Sequence, residues 1–364
     1  MTHGGPSSVR PGRVREARLT DLAALGELSR LSNVGEERAD GGFRSLGLPV
    51  SASQISVFSL FRLPLGALRQ HDQLYVYEEE RKLAGLLRVE RDAHRDEWTI
   101  VELDAIGLGE AGDIRFRLVQ HLLRDGSKRG AARFHVACAD DGGNVELFMQ
   151  AGFARYGEEH ILFRPPDQPL PGPVRRTEAA AAGIRPAVAL DALKLSRLYA
   201  AATPQPVARL EAYRLLDWER QGREWRIPRS SLTPILRFAD VEGYVQEATP
   251  EAGRDELAAF LQVGVAKEEQ PHYLRLISLP NHDPSELIRF GLGVIAEETG
   301  AGRAGGRSGG HSHEHGIVCP VRTYESPVDR RFEEADFGRI ASVTLLMKET
   351  LVSVAEPALV PAVR

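Results

Sequence analysis

Cysteine is nearly absent from this chain: two residues among 364, Cys138 and Cys319. Two thiols cannot build a disulfide framework, so the fold must rest on a hydrophobic core, and a reducing compartment is the expected setting. Long apolar runs are missing too. No stretch of about 20 apolar residues is present to span a bilayer, and the opening MTHGGPSSVRPGR has no apolar signal core. A cytoplasmic protein with no membrane partner is therefore expected. Charge of one sign is also lacking. The formal net charge is -5, with acids and bases interspersed. There is no basic stripe for a nucleic-acid surface, so no nucleic-acid partner is expected.

What is present suffices for a core in each of two domains. Hydrophobic residues make up 42% of the chain, and 364 residues at about 150 per domain suggest two units. The proline-rich PPDQPLPGP starting at Pro165 can be neither helix nor central strand and marks a linker. Residues 1–13 read as a tail, 14–165 as the first domain, 166–182 as the linker, 183–356 as the second domain and 357–364 as a tail.

The most informative stretch is 97–130. Residues 98–106 are rich in β-branched and apolar side chains and predict a strand. Gly107, Gly109 and Gly112 follow, then Asp113 as a helix N-cap. Ile114, Leu118, Leu122 and Leu123 fall at helical spacing, and Gly130 ends the helix. A strand that feeds through a glycine loop into a helix start can hold a phosphate on free N–H groups at the positive helix end. Residues 132–139 predict a strand parallel to the first, because a right-handed crossover joins them.

Around this unit, residues 14–19 predict a short strand and Leu22, Leu25 and Leu28 a helix. Residues 51–70 predict a second helix that Pro64 should break or kink, and 73–77 with 83–89 a hairpin. A short helix over 144–150 and a strand over 160–164 close the first half. The second half repeats this order: strand, two helices, three or four strands, a helix from Asp283-Pro284, strand, short helix, strand. Phe148-Met-Gln-Ala-Gly-Phe153 is echoed by Phe332-Glu-Glu-Ala-Asp-Phe337, each after a strand bearing a cysteine. A duplication is the expected origin. Two units are too few for a repeat array.

The strand, glycine loop and helix, the following strand, LFMQAGF, and the opening VREARLTDLAALGELSR together resemble the GNAT superfamily of acyl-CoA-dependent N-acetyltransferases. The resemblance covers about 14–165, and a weaker copy about 183–356. It implies an α/β (α+β) protein of two tandem GNAT-like folds, each a mixed, mostly antiparallel sheet flanked by helices. It further implies an acetyl-CoA co-substrate lying in a split between 98–106 and 132–139, and a small-molecule or peptide amine as acceptor. The main chain of Leu103, Ala105 and Ile106 would bond the pantetheine arm. Gly107, Gly109, Gly112 and Arg115 would cradle the pyrophosphate, and Asn144 would reach cofactor or substrate. Glu102 and Asp104 share one strand face and would serve as the base that frees the incoming amine.

The chain departs from the family in three places. The usual phosphate loop, Arg/Gln-x-x-Gly-x-Gly/Ala, has Asp113 and Arg115 where its last glycines belong. A carboxylate about 5 Å from a phosphate charge opposes binding by ~3 kcal/mol at an effective dielectric of about 20, and an Arg fork offsets this. Phe148 stands where a tyrosine acid is often found. PNHDPSE replaces the glycine loop in the second half, which is expected to bind no CoA in the usual way. A non-catalytic binding or scaffold protein is thus the alternative to an N-acetyltransferase.

Other residues have simpler readings. Cys138 is expected as a buried strand thiol, and Trp98, Trp218 and Trp225 as packing groups. Arg197, Arg209, Arg214 and Arg220 are expected on a solvated face. Asn144 is also open to reading as a plain N-cap. His311, His313, Glu314 and His315 sit in a glycine-rich insertion without a rigid frame, so no metal is expected.

Overall fold

The computed structural model describes residues 12–21, 24–25, 43–44, 46–49, 72–80, 82–92, 94–106, 111–141, 143–172, 174, 176–220, 227–248, 256–266, 270–300 and 315–350. The expected helix over 51–70, most of the one carrying Leu22 to Leu28, Gly107, Gly109, Trp225 and the histidine insertion up to Glu314 lie outside them.

The first half contains β1 (Arg13–Glu16), β2 (Phe43–Arg44), β3 (Asp72–Glu79), β4 (Lys82–Arg91) and β5 (Glu97–Ile106). Then come α1 (Ala111–Lys128), β6 (Arg133–Cys138), α2 (Asn144–Gln150) and β7 (Ala154–Arg164). The second half opens with α3 (Arg176–Ala181), β8 (Ile184–Pro186), α4 (Ala192–Ala202), α5 (Gln205–Glu211) and α6 (Leu215–Glu219). It continues with β9 (Phe238–Glu247), β10 (Leu257–Ala266), β11 (His272–Ser278), α7 (Ser285–Glu298), β12 (Ile317–Arg322), α8 (Ser326–Glu333) and β13 (Gly338–Glu349).

All of these strands join one sheet of 13 strands in the order β1-β3-β4-β5-β6-β13-β7-β12-β11-β10-β9-β8, with β2 added on β5. The order shows an exchange. β13, the last strand of the second half, lies between β6 and β7 of the first. β7 in turn pairs with β12 of the second half. The two long strands run antiparallel, with Ile161 opposite Ala341 and His160 opposite Ser342. Each half is thus completed by a strand of the other.

The duplication seen in sequence has a structural counterpart. Phe148 and Phe153 meet edge to face at 5.3 Å, and Phe332 and Phe337 do the same at 5.0 Å. Between the rings, Gly152 (φ 86°) and Asp336 (φ 65°) both take the left-handed conformation that ends a helix. A second echo lies at the start of each half. Arg15 forks Asp21 at 2.6 and 2.9 Å, and Arg185 forks Asp191 at 2.7 and 2.9 Å.

The amphipathic α1 buries Ile114, Leu118, Val119, Leu122 and Leu123 against the sheet. Gly85 allows its close approach, since a Cβ there would stand 2.6 Å from the Ile114 methyl. On β5, Trp98, Ile100, Leu103 and Ala105 join this core. A bulge opposite Arg88 and Val89 gives β5 one extra residue, Val101. The other face of β5 therefore carries Thr99, Val101, Glu102 and Asp104.

Candidate functional site

The parallel pairing of β5 with β6 lasts only from Glu97–Arg133 to Ile100–Val136. Beyond it β5 runs on to Ile106 and β6 to Cys138 without bonding one another, so the sheet splits where the sequence placed a gap. The second half parts in the same way, with only His272–Ile317 and Tyr273–Val318 paired between β11 and β12.

The split in the first half holds a piece of the chain. Phe43 and Arg44 pair antiparallel with Ile106 and Ala105, and the carbonyl of Leu46 accepts from the Ala139 amide at 2.8 Å. Leu46 is buried in the core beside α1, and Leu48 packs against Val101 and Ile235. Gly47 makes the turn at φ 68°, where a Cβ would meet that of Ala139 at 2.7 Å. The main-chain edge of Ala105 and Ile106, expected to face pantetheine, carries this strap.

Helix α1 begins at Ala111, so Asp113 is not its cap. Asp113 is exposed in the first turn and pairs with Arg117 at 2.7 Å. Gly112 is exposed and has open space around it. Arg115 turns inward. It is buried, and its Nη2 donates to Asn144 Oδ1 at 2.5 Å. Asn144 is not a cap either: Gly143 takes that place, and Asn144 Nδ2 donates to Asp141 at 3.0 Å. Together Arg115 and Asn144 tie the starts of α1 and α2.

Glu102 and Asp104 are both buried on one face of β5. Arg88 reaches Glu102 at 3.3 Å and Asp72 at 3.4 Å. Burial raises the Glu102 pKa above the usual carboxylate range, against the opposing pull of Arg88. Cys138 is buried, and its thiol is pushed up to about 12, chiefly by desolvation.

At the apex of the split lies a cavity that only the tertiary structure assembles. Thr99, Ile100 and Val101 of β5 and His135, Val136 and Ala137 of β6 form its floor. Tyr156, Leu345 and Arg322 flank it. Arg229, Ser230, Ser231 and Ile235, from the loop before β9, close it above, and Leu48 of the strap seals one side. The centre of a water molecule can visit about 20 Å³ within it, room for roughly one water. Arg229 donates to Glu97 at 2.5 Å and to Thr99 at 2.7 Å. Arg322 donates to Glu211 at 2.8 Å and lies 3.2 Å from Glu159. His135, Tyr156, Arg229 and Arg322 come from four separate segments, two in each half. No local spacing in the sequence marks them.

Beside the second split an ion pair links β11 to the residues that follow β12. Arg275 forks Glu325 with two contacts of 2.8 Å, fully buried, and Glu325 also accepts from the Arg322 amide at 2.9 Å. Among the remaining expectations, Trp98 and Trp218 are buried and Arg197 and Arg214 are exposed. His315 is the one residue of the histidine cluster within the described set, and no metal-binding group of three occurs among the described residues.

No protein-family model matches the chain, and no curated protein sequence does. Solved structures do match. A tandem GNAT protein from the clavulanic acid biosynthesis pathway superposes with a TM-score of 0.51 over 93% of this chain and 98% of that one, at 13% identity. A GCN5-related N-acetyltransferase from Sphaerobacter thermophilus gives 0.51 over 93% and 95%, at 12% identity. With the two splits and the strand order, these likenesses establish that the chain has a tandem GNAT fold.

Proposed function

We propose that this protein is an acyl-CoA-dependent N-acetyltransferase with one active site, in the first half. The observation that carries the reading is the split after Ile100 and Val136, with a cavity at its apex and the buried Glu102–Asp104 pair on the same sheet face. A strand edge beside a gap offers main-chain groups at regular intervals to an extended arm. Leu103, Ala105 and Ile106 take that role once the strap withdraws. Gly107, Gly109 and Gly112 hold the pyrophosphate, and Arg115 with Asn144 ties the start of α1 to that of α2. The deprotonated Glu102–Asp104 pair accepts a proton from the ammonium of the acceptor, directly or through water, so that the neutral amine attacks the thioester carbonyl.

The second half supports the site without a second one. Its loop 229–235 lines the cavity, its β13 completes the sheet, and beside its own split Arg275 is bonded to Glu325. A single small-molecule or peptide amine is the acceptor.

A non-catalytic binding role is the second reading. It draws on the strap lying along β5 and on the inward turn of Arg115. Calorimetry with acetyl-CoA separates the two. The enzyme reading expects micromolar binding at one site per chain. No heat at millimolar ligand favours the binding role.

A further inference from the structure

We propose that Arg88 is the positioning residue for Glu102, and that Asp72 sets how firmly Arg88 holds it. The inference rests on the acyltransferase reading above, in which Glu102 is a base, and deepens it.

Strand register brings these groups together. The bulge in β5 inserts Val101, so Glu102 falls directly opposite Arg88 of β4. Counted by strict alternation from the core residues Trp98 and Ile100, Glu102 would face the core; the bulge aims it the other way. On the other side of β4, Arg88 stands opposite Leu74 of β3, and Asp72 lies two residues before Leu74 on the same face. Asp104 follows Glu102 on that face. Asp72, Arg88, Glu102 and Asp104 form one cluster across three strands, largely buried.

Arg88 spans the cluster. Its Nε donates to Glu102 Oε2 at 3.3 Å and its Nη1 to Asp72 Oδ2 at 3.4 Å. Two contacts that could fork one carboxylate are thus divided between two. Arg275, by contrast, gives two contacts of 2.8 Å to Glu325 alone.

Charge gives this division its consequence. Among the described residues, the charged groups that act most on Glu102 are Arg88, Asp104 and Asp72. Glu90 stands one step further along β4, opposite Thr99 and Asp72. One guanidinium therefore meets the carboxyls of Asp72, Glu102 and Asp104. Ionising all three would leave two negative charges uncompensated out of water, which is costly. Arg88 favours the carboxylate form of Glu102 and fixes its direction. Asp72 draws on the same cation and adds a negative charge, so it opposes that pull. Held by one N–H, the Glu102 carboxylate keeps enough basicity to take the proton of an ammonium, leaving a neutral amine and a carboxyl group.

Two substitutions should move Glu102 in opposite directions. Arg88→Gln removes the cation, and the pH at which Glu102 ionises should rise by about one unit or more. Asp72→Asn removes the competing charge with little change of shape, and that pH should fall by about half a unit to one unit. Arg88→Lys keeps the charge without the planar guanidinium. Its Glu102 should ionise near the wild-type pH, while CoA release from acetyl-CoA with a panel of amines should slow by about tenfold or more. The infrared carboxyl band that Glu102→Gln deletes reports this ionisation in the full chain without any acceptor, and circular dichroism checks folding. Should Arg88→Gln fail to fold, Asp72→Asn and Arg88→Lys decide. A fall in Asp72→Asn with a rise in Arg88→Gln, each matched by the rising limb of the pH–rate profile, supports the proposal. No shift in either, or shifts of one sign in both, overturns it. Loss of rate in Glu102→Gln then leaves the acyltransferase reading standing, whereas a wild-type rate in Glu102→Gln overturns both.

Discussion

The main chain of Arg44 pairs with that of Ala105 on the edge of β5 that faces the split. With Leu46 bonded to Ala139 across the gap, residues 43, 44 and 46 bridge β5 and the end of β6. Any ligand that uses the same edge competes with this strap, and part of its binding energy goes to displacing it.

Weakening the strap should therefore strengthen acyl-CoA binding. Leu46→Ala removes a buried anchor at a cost of about 2–5 kcal/mol. The expected outcome is a lower melting temperature together with tighter acetyl-CoA binding by calorimetry. Unchanged or weaker affinity would mean that the strap and the ligand do not share a place.

The Glu102–Asp104 pair predicts a particular pH profile. Burial raises the Glu102 pKa, and a base works only when deprotonated. CoA release in the presence of an amine panel should thus rise with pH through a value above the ordinary carboxylate range. Glu102→Gln should cut the rate by about 100-fold or more and flatten that rise, and Asp104→Asn should act in the same direction. A full rate in both variants, with folding intact, would remove these residues from the chemistry.

Acid should destabilise the protein in two stages. Burial, followed by Arg229, lowers the His135 pKa from 6.5 to about 4. Between those values the unfolded chain binds a proton that the folded one does not, so stability falls with pH there, by up to about 3 kcal/mol. Glu97 behaves otherwise. Burial alone would raise its pKa, but Arg229, His135 and Arg95 overcome this and hold it well below its ordinary 4.5. Its contribution is present above pH 4.5 and is lost on further acidification. Melting temperature against pH checks both: His135→Phe should erase the upper stage and keep the lower.

The exchanged strands make the halves interdependent. A chain ending at Phe337 lacks β13, which exposes the edges of both β6 and β7. Circular dichroism should show loss of structure in both halves, and the intact chain should melt in one transition. Independent folding of the first half alone would contradict the topology.

In the second split, Glu325→Gln leaves Arg275 buried with a neutral partner in place of its carboxylate. Breaking a buried pair costs about 3–5 kcal/mol, so this variant should melt earlier. Acetyl-CoA affinity should not change, because the ligand's place is the other split.

Much of the fold was legible because local patterns carry it. The spacing of Ile114, Leu118 and Leu122 gave α1, the β-branched run gave β5, and LFMQAGF with its echo gave the duplication. Arg15 to Asp21 and Arg185 to Asp191 repeat the same six-residue step and would have strengthened that case. The strand exchange was not legible, since pairing of β13 with β6 joins residues some 200 positions apart and no side-chain period records a partner. The start of α2 at Asn144 was read correctly, but the caps of α1 and α2 were misread for a related reason. Asp113 and Asn144 are good caps by propensity, yet Gly143 fills the cap position of α2, and Asn144 serves Arg115 instead. Glu102 and Asp104 could be placed on one face from strand alternation. His135, Tyr156, Arg229 and Arg322 could not, because only the crossing of the two halves brings them to one cavity.

The most direct measurement is a structure of the full chain with acetyl-CoA. One ligand per chain is expected, with its arm along Leu103 to Ile106 and Phe43, Arg44 and Leu46 withdrawn from their pairing with β5 and Ala139. A complex with the strap still paired to Ala105 and the ligand bound elsewhere, or no complex at saturating ligand, would contradict it.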